Sequence, residues 1–421
     1  MFKRLLLSKS FLPLFLCQFF SAFNDNLLKN GLIALVVYVL ARENTASLVQ
    51  FAGAIFILPS FLLSGIGGQL ADHYDKALIA KRLKFAEVFA ALLSATGFYF
   101  HSVPLLMGAL GFFGSIAALF GPIKYGILPD QLKTEELPHG NALIEAATFI
   151  AILLGSILGT KAVTGTGSTF PLSCFIFVMA IACWLSARAI PSTKEAAPDL
   201  VIELNILAST VELLQILWRS TQLWWGAIAV SWFWLVGAVT LPLLSTLVKY
   251  HLHGNDNLYI FTLTLFSIGI ALGSGFAAWM AHGRILLSPM PIAAVLMGLF
   301  GIDFGIVAMH STSLPPAGIL EFLSTFSGAR FTLDLLGFSA AGGLFIVPIF
   351  AAVQSWAPVD SRARVIAAVN VLSALFMVMG AVSTAALQSR GITEPQVVIL
   401  LGIANLLFAF LIGIRLKING R

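Results

Sequence analysis

The chain has 421 residues, 59% of them hydrophobic and only 10% charged, with a formal net charge of +5 and a mean hydropathy of +0.95. So little polar surface excludes a soluble enzyme or a soluble binding module, whose exposed side must be solvated. The basic excess is not a nucleic-acid signal either, because no basic stripe with interleaved aromatics stands outside the apolar runs.

A membrane-spanning helix needs about 20 apolar residues. The sequence predicts about twelve such helices, over 11–40, 48–71, 83–101, 105–128, 141–163, 170–190, 222–248, 258–281, 291–310, 333–356, 364–387 and 396–415. The expected fold class is an all-α polytopic membrane protein of two six-helix lobes, 1–190 and 222–421, joined by a linker over 191–221. No stretch between spans is long enough for a catalytic domain, so neither an enzyme nor a cofactor is expected. Cys17, Cys174 and Cys183 fall inside spans and are odd in number, which suggests neither a disulfide framework nor a metal site.

Lys3, Arg4 and Lys9 precede a first apolar run far longer than the roughly 7 to 15 residues of a signal peptide, so that run reads as a retained span. Within it stand Asn24, Asp25, Asn26, Lys29 and Asn30. A charged side chain at bilayer depth costs about 2.5 to 3.5 kcal/mol on insertion scales, so it normally faces a bundle interior or a water-filled pathway. Gln18, Ser21, Asp25 and Lys29 follow one another by three or four residues and share a helical face, with Asp25 four residues before Lys29 in the favourable order. Thirty helical residues reach about 45 Å, which puts Asp25 near the midplane. The stripe is either a buried ion pair that orients the helix or a coordination site for a charged headgroup.

The second span ends in Gly68, Gln69, Leu70, Ala71, Asp72, His73, Tyr74, Asp75 and Lys76. This run resembles the loop signature of the major facilitator superfamily, with Asp75 where a glycine is usual and His73 where an arginine is usual. The resemblance implies a conformational latch made by Gly68, Asp72 and Lys76. The counterpart in the second half, Gly273 to Arg284, is degenerate, with Trp279 where the acid would fall. In the fourth span Lys124 and Tyr125 follow Gly121 and Pro122; in the fifth, Asn141, Glu145 and Thr148 share a face. Gly155 with Gly159, and Gly269 with Gly273, have the spacing of close helix packing.

The linker opens with Pro191, Ser192, Thr193, Lys194 and Glu195, and Leu200, Leu204, Leu207, Val211, Leu214 and Trp218 then recur at helical spacing, as an interfacial helix would. A weak internal repeat lays Asn141 to Gly155 over Ile366 to Gly380, and the Gly121-Pro122 region over the stretch ending in Pro348. Two related halves suit a secondary transporter. Asp303 is a lone acid in the ninth span. The segment Ser311 to Asp334, with Pro315, Pro316, Glu321 and Arg330, is too polar for a span and reads as an interfacial or re-entrant element on the outer side.

The basic residues set the orientation. With the N-terminus in the cytoplasm, roughly 17 of the 24 fall on that side, among them Lys76, Lys81, Arg82, Lys84, Arg362, Arg364, Arg415 and Lys417. Arg42, Lys161, Lys249 and Arg390 fall opposite, and both termini are then cytoplasmic. His251 and Asp256 have the spacing of a glycerolipid acyltransferase pair but sit in a short loop with no surrounding domain, and the sequence has no GxxxxGK[ST] loop of an ATP-driven pump.

The run from Phe11 through Gln18 and Phe23-Asn24-Asp25-Asn26 to Lys29 and Asn30 resembles the opening of the bacterial lysophospholipid transporters of the major facilitator superfamily. Gly121 to Leu128, with Asn141 to Ala146 downstream, is similar to the same family. The resemblance implies a major facilitator fold and inward flipping of lysophosphatidylethanolamine or lysophosphatidylglycerol across the bacterial inner membrane for reacylation by a separate acyltransferase. Substrate contacts are then expected from Gln18, Asn24, Asp25, Asn26, Lys29, Lys124, Asn141 and Glu145. The family's seventh-span arginine, which follows a Thr-Leu pair, has no counterpart here, since Thr240 and Leu241 are followed by Pro242. A proton-coupled exporter of small amphiphiles would use Asp25 and Glu145 as proton carriers instead.

Overall fold

The structure, a computed structural model, describes residues 1–40, 45–166, 169–310 and 318–419. Arg42 and the Ser311 to Pro316 end of the outer segment lie outside the described residues. Fifteen α-helices follow in order: α1 (Phe2–Leu6), α2 (Leu12–Ala34), α3 (Thr45–His73), α4 (Lys76–Tyr99), α5 (Val103–Gln131), α6 (Leu137–Thr166), α7 (Phe170–Arg188), α8 (Ile206–Trp218), α9 (Thr221–Thr246), α10 (Asp256–Ala281), α11 (Pro289–Met309), α12 (Ile319–Ser324), α13 (Phe326–Trp356), α14 (Arg362–Gln388) and α15 (Glu394–Asn419).

Among the described residues, ten helices are long and apolar enough to cross a membrane. The two other long helices are α2 and α4, which bury the charged residues Asp25, Lys84 and Glu87. Many large apolar side chains point outward, including Phe89, Leu92, Trp279, Leu407 and Phe410. Hydrocarbon solvates them, which explains an exposed apolar surface that water would not tolerate. α2 and α9, each the first span of its half, close in a π-helical turn, over Leu35–Leu40 and Leu247–His251. α5 carries the interior prolines Pro122 and Pro129, and α13 carries Pro348.

Two compact units emerge. The first comprises Met1–Gly140, Ala147–Leu223 and Gln354–Val371, so it includes the first turns of α14. Its apolar core runs through α2, α4, α5 and α7, with Leu27, Leu32, Phe98, Leu106, Phe113 and Ile176 buried. Small residues set the approach of its helices: a Cβ on Gly155 or Gly159 of α6 would overlap the carbonyl oxygens of Phe23 and Leu27 on α2, the close packing expected where lipid offers helices no hydrophobic drive to associate. The second unit comprises Asn141–Ala146, Trp224–Val353 and Leu372–Arg421. In it Gly273 of α10 meets the backbone of Ala340 on α13, and Gly298 of α11 meets Leu406 and Gly402 of α15. Asn405 ties α15 to its neighbours, donating to the Ala294 carbonyl (2.5 Å) and accepting from Trp232 Nε1 (2.7 Å).

Three sequence expectations change. Asp303 is not alone: the Arg330 guanidinium donates to it through Nε (2.9 Å) and Nη2. The tenth span begins at Phe326 rather than 333, because Arg330 and Asp334, which read as polar interruptions, lie within α13. Lys84, counted with the cytoplasmic basic residues, has a fully buried side chain.

Candidate functional site

The polar stripe of α2 is held from several sides within the first unit. Gln18 Nε2 donates to Thr148 Oγ1 of α6 (2.9 Å), and Asn24 Nδ2 to the Ile176 carbonyl of α7 (3.1 Å). Asn30 Nδ2 reaches Ser156 Oγ of α6 (3.0 Å) and the Asn26 carbonyl (2.9 Å), while Asn26 Nδ2 turns back to the Ala22 carbonyl (2.8 Å). Cys17 and Cys183 meet with Sγ atoms 3.8 Å apart as free thiols. The amide bonds satisfy N–H groups that hydrocarbon would leave unpaired, while Asn24 Oδ1 is buried without a hydrogen-bond partner among the described residues.

The charges of the stripe gather on the side of α4 and α5. Asp25 lies in the electrostatic field of Glu87, Lys84, Lys29 and Lys124. Lys84 Nζ donates to Ser21 Oγ (2.6 Å) and Glu87 Oε2 (2.6 Å) and stands 4.2 Å from the centroid of Phe120. Lys29 Nζ sits 5.5 Å from the Phe56 ring centroid, and Lys124 Nζ 4.7 Å from that of Tyr125, distances at which a ring face attracts a cation. The structure thus places Asp25, Lys29 and Lys124 in one field with Lys84 and Glu87, and Lys84 adds Ser21 and Phe120 to its contacts, whereas Gln18 and Asn24 turn to α6 and α7 and Asn26 turns back on α2. Asn141 and Glu145 are fully buried on α6, in its Asn141–Ala146 stretch, which clusters with the second unit. Three lysines and two carboxylates share the first-unit cluster. With every group ionised it carries one excess positive charge, which suits an anionic headgroup such as a phosphate, and its mixed signs allow a zwitterion to exchange with internal pairs.

A second constellation surrounds the end of α3. Asp72, wholly buried, is not a solvated helix cap: its carboxylate accepts from the backbone N–H groups of Ala363 (2.9 Å) and Arg364 (3.0 Å) and from Arg364 Nε (3.1 Å). These are among the N–H groups that the first turn of α14 leaves without an intrahelical partner, where the helix dipole also favours an anion. A Cβ on Gly68 would stand 2.6 Å from Ala367 Cβ, so only glycine lets α14 approach this closely. Lys76 Nζ pairs with Asp130 Oδ2 (2.9 Å), whose other oxygen accepts from Arg362 Nη1 (3.0 Å). Gly68, Asp72 and Lys76 therefore meet one partner, the start of α14, directly or through Asp130.

Asp75 caps α4 through the Ala77 N–H (2.9 Å). Partial burial pushes its carboxyl up, but hydrogen bonds from Ser192, Thr193 and Ala77 outweigh that and hold it below the usual aspartate range. The linker helix α8 starts at an Asn205 cap, turns Ser209, Leu213 and Leu217 inward and leaves Leu207, Val211 and Trp218 exposed. His251 pairs with Glu394 (3.1 Å), so it forms no dyad with Asp256, which opens α10. Thr240 Oγ1, beside the missing seventh-span arginine, is buried without a hydrogen-bond partner among the described residues.

Comparison with known proteins agrees with this architecture. Residues 14–381 match the family model described as Major Facilitator Superfamily. The chain is 29% identical to the lysophospholipid transporter LplT of Pectobacterium carotovorum subsp. carotovorum over 83% of this chain and 79% of that one. To the protein of the same name from Yersinia pestis (strain Pestoides F) it is 27% identical, with the same coverage. Among solved structures, the human organic anion transporter MFSD10 superposes with a TM-score of 0.76 at 17% identity, covering 96% of this chain and 99% of that one. A bacterial homologue of the iron transporter ferroportin in an outward-facing state gives 0.73 at 15% identity, covering 99% and 100%. At such identities the structures speak for the fold alone.

Proposed function

Because the chain belongs to the Major Facilitator Superfamily, we propose that it is a lysophospholipid transporter of the bacterial inner membrane with both termini in the cytoplasm. It would move lysophosphatidylethanolamine or lysophosphatidylglycerol from the outer to the inner leaflet, where a separate acyltransferase reacylates them. One observation carries this reading: the mixed-charge cluster in which buried Asp25, Lys84 and Glu87 meet half-buried Lys29 and Lys124, beside the first span. The likeness to proteins named lysophospholipid transporter supports the substrate class.

A lysophospholipid presents a phosphate, in some cases an ammonium, and a single acyl tail. In this reading Lys29 or Lys124 attracts the phosphate, and Asp25 or Glu145 receives the ammonium. The asparagines and Gln18 hold α2 in register, and the tail stays sideways in the bilayer. Two six-helix halves rock about the midplane site in alternating access, while Asp72, Gly68 and Lys76 bias the equilibrium through the start of α14. A proton-coupled exporter of small amphiphiles would draw on the same buried Asp25, as a proton carrier.

Proteoliposome uptake of labelled lysophosphatidylethanolamine and lysophosphatidylglycerol separates the two. Transfer by the wild type that is lost in Asp25→Ala and indifferent to an imposed pH gradient fits the lipid reading. No transfer of either lipid under any gradient rejects it.

A further inference from the structure

The linker after α7 does not simply pass the end of α3. Asp75 Oδ1 accepts from Thr193 N (3.0 Å) and Thr193 Oγ1 (2.9 Å), and Oδ2 from Ser192 Oγ (2.6 Å). Lys76 N donates back to Thr193 Oγ1 (3.1 Å), and Gln131 Nε2 donates to the Pro191 carbonyl (3.0 Å). Three residues on, Ala196 N (3.0 Å) and Ala197 N (2.8 Å) both donate to the backbone carbonyl of Asp72. Further along, Gln69 uses both ends of its amide on the linker, donating to Ser209 Oγ (2.7 Å) and accepting from Glu203 N (2.6 Å).

The Asp72 carbonyl belongs to the last turn of α3, whose carbonyls lack intrahelical partners. The linker supplies those partners. Asp72 is thereby held on two sides, its carbonyl by the linker and its carboxylate by the first turn of α14. A turn that loses its carbonyl partners frays, and a frayed turn no longer aims the carboxylate.

We propose that Asp75 is a positioning residue that fastens linker residues 192–197 to the Asp72 turn, so that the linker and the start of α14 grip that turn together and release it together. The proposal rests on the latch reading of Asp72 given above. It assigns the linker a part in the conformational cycle beyond joining the two halves, and it gives Asp75 a task distinct from capping α4.

Hydrogen exchange on the full-length protein in nanodiscs tests it without reference to any substrate. Asp75→Gly removes every linker bond of the side chain, while glycine is only slightly inferior as a helix cap, so α4 is retained. The double variant Ser192→Ala/Thr193→Val removes the two hydroxyl bonds to Asp75 from the linker side; it keeps the Thr193 N–H bond and the Ala77 cap and leaves the Lys76 N–H without its Thr193 acceptor. Both variants are expected to speed exchange at Ala196 and Ala197, and also at Ala363 and Arg364, by about tenfold, the change produced by one lost hydrogen bond. Asp72→Ala, which leaves no acceptor for either N–H, is the control and is expected to release Ala363 and Arg364 directly. If Asp72→Ala leaves those two amides protected, the latch reading itself fails. If Asp72→Ala releases them while both linker variants free only Ala196 and Ala197, the coupling proposed for Asp75 is overturned.

Discussion

The Lys84–Glu87 pair offers a sharp test of how the buried charges are balanced. Its atoms stand 2.6 Å apart, with side chains 0% and 1% exposed. At an effective dielectric constant near 20, two unit charges at that distance attract by about 6 kcal/mol. Removing two ions from water costs several kcal/mol each, so the pair is close to neutral overall, whereas losing one partner strands the other at about 3–5 kcal/mol. Lys84→Met is therefore expected to destabilise the protein by about that amount, including about 1 kcal/mol from the bond to Ser21 Oγ. Lys84→Met/Glu87→Met, which leaves no stranded carboxylate and keeps the volume, is expected to recover most of the loss. Unfolding titrations in mixed micelles on the wild type, both single variants and the double variant measure the coupling directly. If the double variant is as unstable as the sum of the singles, the two groups are not a coupled buried pair and the reasoning fails.

Gly155→Ala is expected to lower stability by about 1–3 kcal/mol, as overpacking does, because the new methyl would meet the Phe23 carbonyl and Asn26 Cβ; thermal unfolding in detergent reads it, and an unchanged midpoint would mean that α2 and α6 separate at no cost. Asp130→Asn removes the carboxylate shared by Lys76 and Arg362. With the Lys76 side chain only 2% exposed, the variant is expected to lose about 3 kcal/mol or more, and Lys76→Met/Asp130→Asn to regain part of it, by the same titration. Asp75 has its carboxyl held below the ordinary aspartate value of 3.8, so its stabilising effect is complete above that value and is lost as pH falls through the lower folded-state value. Exchange protection at Ala196 and Ala197, corrected for intrinsic rate, is accordingly expected to be flat from neutral pH to about pH 5 and to fall only in stronger acid; a decline near neutrality would assign the strap to another group.

Much of this site was legible because membrane burial makes polar residues conspicuous. Asp25 and Lys29 stand out in a run where hydrocarbon is expected, and Asp72 is flagged by its neighbours Gly68 and Ala71. Lys84 and Glu87 escaped because they follow Lys81 and Arg82, so the local charge reads as the cytoplasmic end of a span. The available signal was the face rather than the charge: Lys84, Glu87, Ala91 and Ser94 recur by three and four residues, all are buried, and small residues accompany the pair. Asp303 and Arg330 lie 27 positions apart on different helices, a pairing that helical periodicity cannot express. Nor could sequence show the linker's grip on α3, since Ala196 and Ala197 act through backbone N–H groups, and Thr193 does so in part, groups which every non-proline residue possesses.

The polar residues of the first span divide into two sets by what they touch, and the division can be measured. Gln18, Asn24 and Asn30 spend their amide groups on α6 and α7, the same neighbours that Gly155 and Gly31 admit to close range. In hydrocarbon such bonds and contacts are what keeps helices together. Asp25 and Lys29 instead look toward lysines, a carboxylate and aromatic rings on α3, α4 and α5, where an incoming charge pair could be exchanged for an internal one. Asn24→Ala is therefore expected to lower the unfolding midpoint while leaving residual transport by the folded fraction. Asp25→Asn, nearly isosteric, is expected to keep the midpoint and abolish uptake. If Asp25→Asn unfolds the protein and Asn24→Ala alone stops transport, the charges of α2 are its glue, the amides are its site, and the assignment made here is inverted.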